Sequence, residues 1–169
     1  MQKQTFLIET NRLDLRLLKP EDIQYFDQLE SDPEVKKYFP SGAHSRDKTE
    51  AMIKKFISRY EEKGLPCFVI FDRALGEFIG RAGFGITENN EVEVGYALHK
   101  KFWGQGYASE ALIALLEYAK EHIDAEYIIA YADVDNVGST RVMEKSGMEY
   151  YKTDVDKGCV CKFYRMRNK

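Results

Sequence analysis

The stretch EVEVGYALHKKFWGQGYASEALIALLEYAK, residues 91–120, changes its period in the middle. Its first eight residues alternate as a strand does. Val92, Val94, Tyr96 and Leu98 fall on one face, and Glu91, Glu93, Gly95 and Ala97 on the other. After Gly104 and Gly106 the apolar residues Ala108, Ala111, Leu112, Leu115 and Ala119 recur at helical spacing. That predicts a helix over residues 106–122. YIIAYADV (127–134) then reads as a buried strand, and its connection is long enough for a parallel crossover. The centre of the chain is therefore a β-α-β unit.

Upstream, CFVIFD (67–72) and EFIGRAGFGI (77–86) are two further strands. Tight turns at ALG and ENN join them to residues 91–98, so the three should pair antiparallel. Residues 13–18 (LDLRLL) read as a strand. Pro20, Glu21 and Asp22 open a helix with Ile23, Phe26 and Leu29 on one face. Asp32, Pro33 and Glu34 start a short helical piece ending near Tyr38. Asp47 with Glu50 looks like the cap of a helix striped by Met52, Phe56 and Ile57. Downstream, a helix over residues 137–145 stops at Gly147, with Met148 folding back on Met143. A last strand covers residues 159–166. The fold class is mixed α/β: one domain over residues 1–169, with antiparallel strands before a β-α-β core.

The 169 residues carry 44% hydrophobic and 31% charged side chains, the balance of a globular domain with a sizeable core. A net charge of −3 argues against a broad phosphate-binding face and so against nucleic acid as partner. No apolar run is long enough to span a bilayer, and MQKQTFLIETNRL does not read as a signal peptide, so no membrane partner is expected. Cys67, Cys159 and Cys161 have neither disulfide-framework nor metal spacing, which fits reduced thiols in the cytoplasm. His44 and His122 lack metal partners at sensible spacing, so no metal is expected. Exposed edge strands are compatible with a homodimer.

WGQGYAS (103–109) has no lysine or arginine. A helix N-terminus nevertheless offers unpaired N–H groups and about half a positive charge. Glycines let an anion approach that backbone closely. A P-loop is excluded, because its Gly-Lys-Ser/Thr ending is missing. A dinucleotide fingerprint would have Ser109 in its third glycine position and residues 99–103 between strand and glycine. A plain glycine-bearing N-cap is the structural alternative.

WGQGYASEAL resembles the acetyl-CoA loop of the GNAT superfamily of N-acetyltransferases, Gln/Arg-x-x-Gly-x-Gly/Ala. Gly106 and Ala108 match its last two fixed positions, while Trp103 stands where Gln or Arg is usual. That departure, with ETNRLDLRLLKPED (9–22), IGRAGF (79–84), EVGYAL (93–98) and NVGSTRVMEKSGM (136–148), is similar to the RimJ/RimL branch, which acetylates ribosomal-protein N-termini. The resemblance implies the GNAT fold, with a splayed parallel strand pair. It implies acetyl-CoA as co-substrate, with its pyrophosphate at Trp103, Gly104, Gln105, Gly106, Tyr107, Ala108 and Ser109. The pantetheine arm would pair with backbone at Tyr96, Ala97 and Leu98.

Acetyl transfer to an amine needs the neutral amine. At pH 7 a free α-amine is roughly 15% neutral and a lysine roughly 0.04%. A carboxylate can accept the proton. Glu93 points away from the apolar face of its strand near the cleft, and Glu in this position is a proposed base in similar enzymes; an ordinary solvated carboxylate is the alternative. Many GNAT enzymes donate to the departing sulfur from a Tyr seven residues after the Asn of the last helix. Here that position is Met143. Ser139 is the donor candidate and Asn136 the pantetheine anchor, with helix capping as the alternative for both. The reading is direct transfer in a ternary complex, since no cysteine lies in the cleft motifs. The acceptor implied is a protein N-terminus; a small-molecule amine or a non-catalytic coenzyme A sensor are the alternatives. Either amine is cationic, and the acidic balance suits both. Trp103 reads as a plug under the loop, Lys100 and Lys101 as phosphate contacts or a solvated pair, and Arg81 as a cleft residue or partner of a strand carboxylate.

Overall fold

In the computed structural model, which describes residues 7–169, eight strands of the described residues share one sheet. In chain order they are β1 (Ile8–Glu9), β2 (Leu13–Leu17), β3 (Cys67–Asp72), β4 (Phe78–Ile86), β5 (Val92–Leu98), β6 (Tyr127–Asp133), β7 (Glu149–Asp156) and β8 (Cys159–Arg167). Across the sheet the order is β1-β2-β3-β4-β5-β6-β8-β7. Neighbours are antiparallel except β5 and β6, which run parallel. The reading of residues 1–6 as part of a leaderless N-terminus lies outside the described residues.

Helices cover both faces. α1 (Ile23–Ser31) and α2 (Arg46–Lys63) lie on one; α3 (Tyr107–His122) and α4 (Val137–Lys145) lie on the other. The run CFVIFD is apolar throughout because β3 is buried on both faces. Phe68 and Ile70 join Leu112 and Leu115 of α3 in the larger core, while Cys67, Val69 and Phe71 pack with Phe26 of α1 and Ile53 of α2. Each buried Leu, Ile or Phe contributes about 2 kcal/mol of transfer free energy. No helix of the described residues is long and apolar enough to cross a membrane.

The feature that positions the site is a failure of pairing. β5 and β6 are in register only at Val92↔Ile128 and Glu93↔Ile129. Beyond Glu93 they splay, while β5 stays zipped to β4 along its other edge, up to Gly80↔Leu98. α4 ends as expected: the Met148 amide donates to the Met143 carbonyl at 3.1 Å, and both side chains are buried.

Four elements differ from the sequence reading. The chain after Asp32 makes successive tight turns instead of a short helix; the amide of Phe39 reaches back only to Lys36. Val35 and Lys36 are both buried there. α2 is capped by Ser45, whose Oγ accepts from the Lys48 amide, and Asp47 sits inside the first turn. β1 is an added two-residue strand. β7 is an added edge strand, joined to β8 through Lys157 and Gly158, both left-handed.

Candidate functional site

The splay opens a groove of about 1230 Å³ that runs through the sheet from one helical layer to the other. On the α3 side its wall is the glycine turn. Gly104 and Gly106 have φ of +71° and +83°, and a Cβ on Gly104 would project into open space. Gly106 is the residue before α3, so no side chain caps the helix. The first intrahelical bond is Glu110 N–H to Gly106 O, at 3.1 Å. The amides of Tyr107, Ala108 and Ser109 therefore have no partner within the helix. This is a cradle for an oxyanion, and it fits the diphosphate of coenzyme A.

A positive side chain does reach this turn, from almost a hundred residues away. Arg12 donates through Nε to Glu110 at 2.7 Å and through Nη1 to the Gln105 carbonyl at 2.9 Å. Its guanidinium lies 4.1 Å from the Tyr107 ring centroid. Thr10 and the Arg12 backbone also bond Glu110. Burial raises the Glu110 pKa, but these hydrogen bonds outweigh it and hold the carboxyl below its usual range. Arg12 thus fixes the start of α3 and offsets the one acid in its first turn. Nothing local to WGQGYAS signals it; ETNRL carries it into the turn between β1 and β2.

Residues Tyr96, Ala97, Leu98, Trp103, Gly104, Gly106, Tyr107, Ala108, Ser109, Asn136 and Ser139 all line the groove. Gln105 lies off it, its side chain turned back to the Lys101 carbonyl. Trp103 is no core plug: it is 46% exposed, and its Nε1–H donates to the Leu98 carbonyl at 2.9 Å, taking one acceptor site at the end of β5. Lys100 pairs with Glu34 and Lys101 with Glu77, so neither is a free phosphate contact.

Across the gap, α4 presents a hydroxyl pair. Asn136 caps the helix, its Oδ1 accepting from the Ser139 amide at 3.2 Å. Capping accounts for that oxygen of Asn136 but not for the Ser139 hydroxyl. Ser139 Oγ lies 2.7 Å from the Tyr96 hydroxyl, which also reaches the Ser139 carbonyl at 3.2 Å. Burial, partly offset by the Ser139 bond, pushes the Tyr96 phenol up to about 12. Tyr96 is therefore a protonated donor at neutral pH. The last helix offers no tyrosine at position 143, yet β5 brings one to the hydroxyl of Ser139. Sequence reading gave Tyr96 only a backbone role, because its alternation marked it as core.

Glu93 sits where pairing stops, on the opposite face. It shares that face with Ala97, which packs under Leu29 and Val35 on the α1 side. It lines the groove, and Glu91 does not. The Tyr131 hydroxyl bonds Glu93; burial and then the carboxylate drive the phenol well above its ordinary range. A Cβ on Gly85 would lie 2.9 Å from Glu93 Oε1, so the glycine makes room for the carboxylate. The 34–41 turns, His44 and the inner side of α2 close this end.

Arg81 lines the groove, the first of its two readings, and its partner is a helix carboxylate, Glu30 of α1, rather than a strand one. All three cysteines line the groove as well. Burial pushes Cys67 up to about 12 and Cys161 up to about 11, so both are neutral thiols and poor nucleophiles at pH 7. Among the described residues no group of three or more His, Cys, Asp or Glu could hold a metal.

A model of the acetyltransferase (GNAT) domain matches residues 12–149. The uncharacterized N-acetyltransferase YnaD of Bacillus subtilis strain 168 is 31% identical over 154 residues, 89% of each chain. A GNAT-family acetyltransferase from Bacillus anthracis superposes with a TM-score of 0.81 at 27% identity, over 97% of this chain and 99% of that one. The Salmonella typhimurium enzyme that modifies the N-terminal serine of ribosomal protein L7/L12 gives 0.79 at 20% identity, over 94% and 96%, and so shares the fold. The matched segment holds Arg12, the splayed strands, the glycine turn and all of α4; the chain belongs to the GNAT family and is an acetyltransferase.

Proposed function

We propose that this acetyltransferase moves the acetyl group of acetyl-CoA directly to a primary amine, and that the amine is a protein N-terminal α-amine. One observation carries the reading: a single groove crosses the sheet at the splay, with a carboxylate on one face and a hydroxyl pair on the other. The amine enters from the α1–α2 side, where Glu93 accepts its proton. Its nitrogen attacks the thioester carbon, a C–N bond forms, and the C–S bond breaks. Ser139, backed by Tyr96, gives the departing sulfur its hydrogen bond and proton. Asn136 and the backbone of β5 hold the arm that carries the thioester.

The likeness of the sequence motifs to the RimJ/RimL branch supports the α-amine, which also needs far less help from a base than lysine does. The activity named for the Salmonella relative supports the same acceptor class. Neutral thiols at Cys67 and Cys161 argue against either as an acyl carrier, which supports direct transfer.

The test is thiol release from acetyl-CoA with a panel of N-terminal peptides and small amines. Steady release with peptides, and acetate found on the α-nitrogen by mass spectrometry, is the expected result. Tight acetyl-CoA binding without turnover would overturn it and make the protein a sensor.

A further inference from the structure

The acceptor end of the groove has a charge imbalance that the transfer reaction does not use. Glu30 is fully buried and holds two cations at once. Lys36 Nζ lies 2.6 Å from Oε2, and Arg81 Nε bonds Oε1. Lys36 is 2% exposed and Arg81 9%. Two buried cations thus share one buried carboxylate, and an uncompensated buried charge is costly. Burial outweighs Glu30 at Lys36 and lowers its pKa, whereas at Arg81 burial is outweighed by Glu30 and the pKa rises, so of the two cations Lys36 is the one short of negative charge.

The imbalance faces the groove. Arg81 and Lys36 both line it. Glu30 engages only Nε of Arg81, which leaves the terminal edge of the guanidinium for an occupant. Phe39 and Phe56 flank that guanidinium at 5.7 and 5.6 Å, fixing its plane. Nearby, Nδ1 of His44 is buried without a partner. Arg59 adds a further positive charge beside Gly85. Glu34 is engaged by Lys100; Glu93 keeps its charge for the amine, four strand positions from Arg81. Along β4, Arg81 lies four residues from Gly85, the strand position opposite Glu93. At about 3.3 Å per residue that is roughly 13 Å of backbone.

We propose that the acceptor amine carries a carboxylate, and that Arg81, with Lys36 behind it, binds that carboxylate while the amine faces Glu93. This rests on the acetyl-transfer reading and names its substrate class. A planar guanidinium edge suits a carboxylate through two parallel hydrogen bonds. The overall charge of −3 suggests a purely cationic acceptor; the acceptor end itself does not. Polyamines and aminoglycosides, which carry no anion, are excluded as good acceptors.

The carboxylate has two sources, a free amino acid or an acidic side chain near a peptide N-terminus, and paired acceptors separate them. Thiol release is measured on the wild-type protein with glutamate against its diamide, and with Ser-Glu-Ala-amide against its Gln and Lys counterparts. The acidic member of one pair should lead by about 30-fold in kcat/KM, with KM carrying most of the difference. The pair that shows it names the source. In Arg81→Gln the lead should fall to within about threefold, while the Kd for acetyl-CoA by calorimetry stays within twofold. Lys36 still pairs Glu30 in that variant, so the buried carboxylate keeps a cation partner. Equal rates, or preference for the Gln or Lys peptide, overturn the inference and leave acetyl transfer standing. So does a preference that Arg81→Gln retains. No thiol release with any acceptor overturns the transfer reading and this inference with it. The wild-type comparison decides the matter even if the variant does not fold.

Discussion

On the α3–α4 side of the sheet the groove is walled by glycine, backbone amides and hydroxyls; on the α1–α2 side it is walled by buried ions. The first wall keeps its shape through local rules: an uncapped helix start, a left-handed glycine, an asparagine cap. The second depends on charges that must find partners across the fold, Glu30 with Arg81 and Lys36. The difference teaches where each kind of recognition is placed. A long coenzyme shared by a whole family can be held by backbone, whereas the partner that distinguishes one member is read by side chains.

Substitution at each wall should therefore fail in a different kinetic parameter. The largest effect is expected at the junction. Glu93→Gln should lower kcat about 100-fold at neutral pH and leave the Kd for acetyl-CoA within twofold, by thiol release and calorimetry. A kcat within threefold of wild type would remove Glu93 as base and weaken the division of labour. Next comes the backbone wall. In Gly106→Val the new Cβ would meet Arg12 Nη2 at 3.3 Å, at a φ of +83° that a β-branched residue rarely adopts. The Kd for acetyl-CoA should rise about 30-fold. A Kd unchanged in calorimetry would mean that the turn is only a cap.

The smallest effect probes the hydroxyl pair. Tyr96→Phe should cost about tenfold in kcat, and Ser139→Ala about the same, with the double variant no worse than either, because both serve one proton path. Tyr96 is pushed up to about 12, so it stays protonated below that pH. The ratio of wild-type to Tyr96→Phe rates should then be flat from about pH 6 to 9. Additive losses would show two independent roles.

Legibility in the sequence followed the same divide. The β5-turn-α3 unit and the cap of α4 are local, and their periodicity, glycines and asparagine announce them within a dozen residues. β7 carries no such signal: as an edge strand exposed along most of its length it has no alternating apolar face. Its turn, Lys157–Gly158, was the available clue. Arg12 and Glu110 are 98 positions apart, and Arg81 and Glu30 are 51 apart. No spacing rule links such pairs; only packing brings them together. Tyr96 was legible as a residue but not as a group, because alternation says which face a side chain takes and not which hydroxyl it meets there.

The two residue pairs between β5 and β6 have a mechanical meaning. Five strands lie on one side of that seam and three on the other, so the sheet is nearly two plates joined by a short hinge of ladder. Side-chain bonds rivet the seam at Glu93–Tyr131 and, past the hinge, at Tyr96–Ser139. A pantetheine arm lying along the open edge of β5, as proposed, would add rungs that the polypeptide withholds. The substrate would then be mortar as well as cargo: its arrival would stiffen the joint between the plates, and its departure as product would loosen it again.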